Sequence, residues 1–269
     1  MRRVLAAALL WAGLAGPASA CGAAAAACAT ATGDYLLRLP GGGPVRGTVL
    51  FLHGHGGSAA QMMADPALAA PLASRGYALA AAEGMPRQGG AGHGWAFRGG
   101  GARDDAAYLA EVMEDLAARH GLPRGNILLA GFSSGGFMTS YLACSDPQAA
   151  RGFAPVAGGF WRPLPADCAG PVRLLHVHGW SDGVVPLEGR RLGSGAMQGD
   201  IFAGMEIWRR ANRCAAMAPG EVSAQDGLWR RSWRDCAPEA ALDLVLHPGG
   251  HVLPPGWAAL ALDWFEALP

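Results

Sequence analysis

The segment Gly-Phe-Ser-Ser-Gly at residues 131–135 constrains the fold of this chain more than any other feature. It follows the apolar run 126–130 and precedes a helix-like run at 136–142. Glycines on both sides allow a tight turn between a strand and a helix, which lifts the Ser133 hydroxyl out of the sheet. The pattern alone is weak in a chain with 41 glycines. A serine nucleophile at this turn therefore needs support from other residues.

Two later strand ends carry an acid and a histidine. The apolar run 172–178 leads into the loop that holds Asp182, and the run 242–246 leads into His247-Pro248-Gly249-Gly250-His251. Open α/β sheets place their sites on loops at the carboxyl ends of strands. The order serine, acid, histidine along the chain is typical of a triad on such a sheet. We expect His251 to be the base, and His247, which lies nearer its strand, is the alternative.

A glycine-rich loop lies upstream of these residues. The apolar run 48–52 leads into His53-Gly54-His55-Gly56-Gly57, where glycines allow close backbone approach. Such a loop can direct amide groups at a developing negative charge, so we assign an oxyanion hole to the amides of His55 and Ser134. The alternative is an ordinary glycine-rich turn. Metal binding by His53 and His55 is discounted, because no carboxylate or cysteine stands at ligand spacing.

Strand-like and helix-like segments alternate along the chain. This alternation predicts one α/β domain with a mostly parallel central sheet and helices on both faces. Pro66 and Pro71 should break or kink the first helical segment, and residues 83–101 form a long glycine-rich loop. The predicted strands are 48–52, 77–82, 126–130, 172–178 and 242–246, and the predicted helices are 59–74, 105–120, 137–143, 202–213 and 257–268.

With these motifs the chain resembles α/β-hydrolase esterases of the polyhydroxybutyrate depolymerase and feruloyl or acetylxylan esterase type. The resemblance implies that Ser133 is the nucleophile, Asp182 the acid and His251 the base, without metal or organic cofactor. Three features depart from the pattern. His55 and Trp180 stand where smaller residues are commoner, and Val252-Leu253-Pro254 replaces the aromatic usually seen just before that proline. The motifs are LHGHGGS at 52–58, RDDAAYL at 103–109, GFSSGGFM at 131–138, HGWSDGVVP at 178–186 and GGH at 249–251.

The resemblance implies hydrolysis of carboxylic esters, with hydroxyalkanoate oligomers as the first expectation. Feruloyl or acetyl groups on plant polysaccharide are the alternative substrates. A secreted serine peptidase is a rival, although no propeller or other gating domain is visible in the sequence. A catalytically silent binding protein is another, although none of the three triad residues is missing. Trp95, Trp161 and Trp180 are candidates for an apolar substrate pocket, although tryptophans more often belong to the core.

The amino terminus predicts export. A basic start at residues 1–3, an apolar stretch at 4–14 too short to span a membrane, and Ala18-Ser19-Ala20 together indicate a signal peptide at 1–20. The catalytic domain would then be 21–269, in a secreted or periplasmic protein. A lipoprotein anchored at Cys21 is the alternative, for which Ala18 is a poor match. No other apolar run is long enough to span a membrane.

The six cysteines all follow the predicted signal peptide, as expected of an oxidised, exported protein. Six cysteines allow fifteen pairings, so counting alone does not choose between them. We favour local pairs, of which the last two also match the resemblance. These pairs are Cys21–Cys28, Cys144–Cys168 and Cys214–Cys236.

Charge excludes two classes of partner. The chain has 21 basic and 21 acidic residues, and every basic residue is arginine. This balance argues against nucleic-acid binding and against attraction to an anionic membrane surface. We expect a small-molecule or oligomeric ester as the partner, and nothing in the sequence indicates the oligomeric state.

Overall fold

The computed structural model describes residues 21–22 and 26–269. The predicted signal peptide at 1–20 lies outside the described residues. The strands are β1 (Cys28–Ala29), β2 (Asp34–Arg38), β3 (Gly47–Leu52), β4 (Tyr77–Ala82), β5 (Met85–Pro86), β6 (His93–Gly94), β7 (Ile127–Phe132), β8 (Gly152–Val156), β9 (Arg173–Gly179), β10 (Glu221–Gln225), β11 (Leu228–Trp233) and β12 (Ala241–His247). The helices are α1 (Ala59–Ala64), α2 (Pro66–Ser74), α3 (Asp105–His120), α4 (Ser134–Ser145), α5 (Ile201–Ala211) and α6 (Trp257–Glu266), with a 3-10 helix at Arg124–Asn126.

Ten strands form one sheet in the order β1-β2-β4-β3-β7-β8-β9-β12-β11-β10. The six central strands, β4-β3-β7-β8-β9-β12, run parallel to one another. The flanking strands at both edges pair antiparallel. The carboxyl ends of the parallel strands meet at one edge, which is where an α/β sheet places its site.

Helices cover both faces of this sheet, as predicted. Alternate residues of β3 point to opposite faces, so Leu50 and Leu52 belong to one apolar cluster and Val49 and Phe51 to the other. The first cluster includes residues of α3, α4 and α5, and the second includes residues of α1, α2 and α6. The prediction of a single α/β domain with a mostly parallel sheet is confirmed.

Pro66 separates α1 from α2, as its position predicted. The Asp65 carboxylate caps α2 by accepting the amide hydrogen of Ala67 at 2.8 Å, and Pro66 occupies the first turn, where its missing amide costs nothing. Helix α2 continues through Pro71. Only the first of the two prolines therefore ends a helix.

Three disulfides join the pairs that we favoured from the sequence. Cys144–Cys168 ties the last turn of α4 to the segment before β9, and Cys214–Cys236 ties the loop after α5 to the loop before β12. The third, Cys21–Cys28, precedes β2. The two larger bridges close sequence separations of 24 and 22 residues. In the chain-entropy model, a disulfide that closes a loop of this size restricts the unfolded chain and so stabilises the fold by about 3 kcal/mol.

A buried carboxylate anchors the β10–β11 hairpin to the sheet. Asp243 of β12 accepts hydrogen bonds from Arg230 at 2.9 Å, from Arg234 at 3.1 Å and from the Ser232 hydroxyl. The Trp264 indole also donates to it, at 2.9 Å. Burial alone would raise the pKa of Asp243, but these hydrogen bonds outweigh burial and lower it.

In the part of the chain from 26 to 269, together with residues 21–22, no helix has the length and apolar character needed to cross a membrane.

Candidate active site

Ser133 stands between β7 and α4 in a strained conformation. Its φ is 54° and its ψ is −114°, values that a residue with a side chain rarely adopts. The flanking glycines are required by close packing. A Cβ on Gly135 would overlap the carbonyl oxygen of Leu52 in β3, and a Cβ on Gly131 would overlap the carbonyl oxygen of Gly135. The strand–turn–helix predicted from the sequence is therefore present, and it holds Ser133 at the carboxyl edge of the sheet.

Ser133, His251 and Asp182 lie in one hydrogen-bonded line. The Nε2 atom of His251 is 2.9 Å from the Ser133 Oγ, and the Nδ1 atom is 2.8 Å from an Asp182 carboxylate oxygen. The other carboxylate oxygen accepts the amide hydrogens of Val184 and Val185, both at 2.8 Å. Because a carboxylate only accepts, Nδ1 must carry the proton, which leaves Nε2 free to accept from the serine hydroxyl. The structure thus brings together the three residues that the sequence singled out.

The loops that carry the acid and the histidine are fastened to each other. The amide of Trp180 donates to the His247 carbonyl at 2.7 Å, and the amide of Ser181 donates to the Gly249 carbonyl at 3.1 Å. The Phe132 ring packs against the His251 imidazole, with centroids 4.8 Å apart. These contacts fix the imidazole between its two partners.

Two buried histidines of β9 contact the loop that carries Asp182. His178 Nε2 is 2.8 Å from the Val185 carbonyl and 3.5 Å from the Asp182 carboxylate, and its Nδ1 is 3.1 Å from His176 Nε2. Burial lowers the pKa of both histidines. Neutral His178 therefore donates from Nε2 to Val185 and accepts from His176, and both rings hold the Asp182 loop. Their position inside a strand predicts core histidines, and this supporting role is not visible in the sequence.

His247, the alternative base, has a different environment. It is buried, its Nδ1 accepts the Gly249 amide hydrogen at 3.2 Å, and burial lowers its pKa. Within the described residues it makes no hydrogen bond to Ser133 or Asp182. The geometry favours His251 as the partner of the serine.

The glycine-rich loop after β3 passes beside Ser133. A Cβ built on Gly54 would lie 3.5 Å from the Ser133 Cβ. The turn is closed by a hydrogen bond from the Gly57 amide to the Gly54 carbonyl at 3.0 Å. Within residues 26–269 the His55 amide has no acceptor, and Ser134 begins α4, so its amide has no partner inside the helix. Both amides assigned to the oxyanion hole are thus free to bind an oxygen atom.

His53 and Trp95 brace this loop from the core. His53 Nδ1 donates to the Gly54 carbonyl at 2.8 Å, and its Nε2 accepts the Gly84 amide hydrogen at 3.1 Å. The Trp95 indole donates to the His53 carbonyl at 2.9 Å. Trp95 is only 7% exposed, so its present surroundings are those of a core residue. Both ring nitrogens of His53 are engaged with backbone groups.

The other two tryptophans of the predicted pocket lie in different environments. Trp161 is half-buried against Phe97 and Phe137, at centroid distances of 6.0 and 5.7 Å. Trp180 is exposed, and its ring meets that of Trp229 at 5.0 Å. Trp229 belongs to none of the motifs identified in the sequence. The Asp226-Gly227 turn before it is a hairpin signal that could have drawn attention to it.

No protein-family model matches the sequence. The chain is 29% identical over 249 residues to NocK of Nocardia uniformis subsp. tsuyamanensis, whose name describes it as an esterase; the match covers 81% of this chain and 67% of NocK. It is 27% identical over 162 residues to feruloyl esterase C of Emericella nidulans, covering 59% of this chain and 53% of that protein. It is 31% identical over 65 residues to poly(3-hydroxyalkanoate) depolymerase C of Paucimonas lemoignei, covering 24% of this chain and 14% of the depolymerase.

The fold is shared with a solved acetyl xylan esterase from Aspergillus awamori. That similarity has a TM-score of 0.66 at 15% identity and covers 87% of this chain and 93% of the other. The chain spans about two thirds of NocK and about half of the feruloyl esterase. The chain therefore has an α/β-hydrolase fold, and it is similar in sequence to proteins named as an esterase, a feruloyl esterase and a poly(3-hydroxyalkanoate) depolymerase.

Proposed function

We propose that this chain hydrolyses carboxylic esters through an acyl-enzyme on Ser133. One observation carries the proposal: Ser133 stands on a strained turn with its Oγ 2.9 Å from His251 Nε2, whose Nδ1 is 2.8 Å from Asp182. Strain at a serine is retained only where the surrounding structure enforces it, and such strain clusters at active sites. A structural turn would need neither the strain nor the aligned imidazole.

In the first half of the reaction His251 takes the proton of Ser133 as the hydroxyl oxygen attacks the ester carbonyl. Asp182 holds the imidazole in the required tautomer and stabilises the imidazolium that forms. The carbonyl oxygen becomes an oxyanion, which the amides of His55 and Ser134 bind. Collapse of this intermediate expels the alcohol, which takes the proton from His251, and leaves an ester on Ser133.

In the second half, water repeats these steps. His251 accepts a proton from water as the water oxygen attacks the acyl group, and the same amides hold the second oxyanion. The acid is released, and the proton returns to Ser133. Every step uses groups that this chain supplies, so we propose a reaction without metal or organic cofactor.

For the substrate we propose soluble or short-chain esters, with hydroxyalkanoate oligomers first. Feruloyl and acetyl esters on polysaccharide are the second candidates, supported by the names of the similar esterases. Pocket shape must decide between them. One methylene in an apolar pocket changes discrimination by only about 1–3 kcal/mol, whereas an unmatched polar group changes it far more.

We further propose that residues 1–20 are a signal peptide and that 21–269 form the catalytic domain of a secreted or periplasmic protein. The three disulfides support this, since such bonds persist in oxidising compartments. A lipid anchor at Cys21 is the alternative, and it predicts that the mature protein partitions into detergent. Intact mass of the mature protein separates the two, because an anchor adds acyl chains to Cys21.

The proposal is tested with paired substrates. Purified protein is assayed on p-nitrophenyl butyrate and on the matched p-nitroanilide, which differ only in the atom that leaves. We expect hydrolysis of the ester and little of the amide; preference for the anilide would establish the rival peptidase. Turnover of neither would support a silent binding protein. A profile over 3-hydroxybutyrate oligomers, methyl ferulate and acetylated xylan then ranks the substrate classes.

A further inference from the structure

Two tryptophans expose large apolar surfaces next to the catalytic loops. Trp180 is 54% exposed and Trp229 is 46% exposed. Their rings meet edge to face, with centroids 5.0 Å apart and an interplanar angle of 80°. We call these two side chains the tryptophan pair. Each ring rests on the other and still leaves about half of the side chain open to a ligand.

The pair lies at the catalytic edge because of the strand register. Trp229 is opposite Leu246 at the carboxyl end of β12, one residue before the loop that ends at His251. Trp180 is two residues before Asp182, so their Cα atoms lie within about 7 Å. The antiparallel β10–β11 hairpin, held by Asp243, thus brings a distant residue to the edge where the triad stands.

A third exposed apolar residue belongs to the same edge. Val252 follows His251 directly and is 49% exposed. Exposed large apolar side chains that stand singly are ordinary, but a group beside a reactive centre indicates a binding surface. Paired aromatic rings supply large contact area at low conformational cost, and they dominate binding energy where they occur.

The chemistry of the surroundings favours an uncharged ligand. Within residues 26–269 no guanidinium lies over either ring of the pair. The neighbouring Arg230 is held by Asp243, and Arg231 lies over the Trp233 ring at 5.6 Å. The pair therefore offers apolar area without a cation for an acidic ligand.

We propose that the tryptophan pair docks the apolar chain of an oligomeric ester beyond the bond that Ser133 attacks. This rests on the proposed ester hydrolysis and deepens it, since it makes the enzyme selective for substrates long enough to reach the pair. A contact that is equally strong in the bound substrate and in the transition state improves binding of long substrates without changing kcat, so its loss raises KM.

The test compares a long and a short substrate in three variants. The substrates are the methyl ester of a 3-hydroxybutyrate trimer, which carries no charge, and p-nitrophenyl acetate. The variants are Trp229→Ala, Trp229→Phe and Met217→Ala. Met217 is 76% exposed and lies near Trp233 at the other end of β11, so it is the matched control. We expect Trp229→Ala to lower the trimer-to-acetate ratio of kcat/KM about tenfold, mainly through KM. The other two variants should keep the ratio within about twofold of wild type.

A binding measurement keeps this proposal separable from catalysis. Calorimetric titration of the trimer into Ser133→Ala, with and without Trp229→Ala, reports the Kd directly. A Kd about tenfold weaker in the double variant supports binding by the pair, whether or not the wild type hydrolyses esters. If the wild type hydrolysed no ester, the proposed function would be wrong, but the binding result would still stand. An unchanged Kd overturns the pair, as does a ratio that Trp229→Ala leaves at the wild-type value. If Trp229→Ala lowered kcat/KM for acetylated xylan and left that for the trimer unchanged, the proposal would also be wrong, and the pair would be assigned to binding of sugar.

Discussion

Replacing Asp182 with asparagine tests the role of the acid while preserving its shape. One carboxylate oxygen accepts the amides of Val184 and Val185, and the other accepts the His251 Nδ1 hydrogen. The side-chain amide oxygen of the asparagine would keep the two backbone hydrogen bonds. Its NH2 group would then face Nδ1 and donate to it. His251 must move its proton to Nε2, and an Nε2 that carries a hydrogen can no longer accept from Ser133.

This tautomer change sets the size of the effect. The same replacement in a Ser-His-Asp triad lowers kcat by about 10⁴-fold, which corresponds to about 5.4 kcal/mol of transition-state stabilisation. The fold should change little, because both hydrogen bonds to the loop survive. We expect the melting temperature of Asp182→Asn to stay within about 4 °C of wild type, the shift produced by about 1 kcal/mol in a protein of this size.

The measurement is kcat on p-nitrophenyl butyrate together with a calorimetric melting curve. Asp182→Ala is the control for structure: it also removes the acceptor for the Val184 and Val185 amides, so it should melt well below the asparagine variant. If Asp182→Asn kept more than about a tenth of wild-type kcat at an unchanged melting temperature, the tautomer argument would be wrong.

Three further predictions concern the scaffold. Asp243→Asn should lower the free energy of unfolding by about 3–5 kcal/mol at pH 7. Because the pKa of Asp243 is lowered in the fold, the stability that its charge contributes is present above about pH 4 and is lost below it. Chemical denaturation at pH 3 should therefore show a smaller difference between the variant and the wild type. Replacing Cys144 and Cys168 by serine should cost about 2–4 kcal/mol in the same assay, and adding a thiol reductant to the wild type should remove most of the difference. Gly135→Ala should abolish activity and lower the melting temperature, whereas Gly125→Ala, where a Cβ meets nothing within 4 Å, should change neither; equal behaviour of the two would refute the packing argument.

Much of the fold follows from local sequence patterns. Strands β3, β4, β7, β9 and β12 are apolar runs bounded by glycine, proline or polar residues, and each was predicted to within about two residues. Strand β8 was missed because Pro155 stands inside it, and proline argues against a central strand. The β10–β11 hairpin was missed because most of its residues are exposed or charged. Its place in the sheet depends on the buried Asp243, which belongs to another strand.

The sequence also predicts part of the candidate site and misses the rest. Ser133, Asp182 and His251 each follow a recognisable strand, so local sequence indicates them, and parallel topology brings their loops together. The support that His178 gives to Asp182 depends on tautomers and burial within the folded chain. The contact between Trp180 and Trp229 joins residues almost fifty positions apart. The Asp226-Gly227 turn indicates the hairpin that carries Trp229, but neither periodicity nor turn signals indicate which residue that tryptophan contacts or how His178 supports Asp182.

Covalent labelling at a single residue tests the central claim most directly. The wild type, Ser133→Ala and Ser134→Ala are treated with a fluorophosphonate and examined by intact mass and peptide mapping. Ser134→Ala is the matched control, because it removes a neighbouring hydroxyl and keeps the amide assigned to the oxyanion hole. We predict one adduct on Ser133 in the wild type and in Ser134→Ala, with ester hydrolysis lost in proportion to labelling, and neither adduct nor activity in Ser133→Ala. An adduct on another residue, or full ester hydrolysis by Ser133→Ala, would contradict the account.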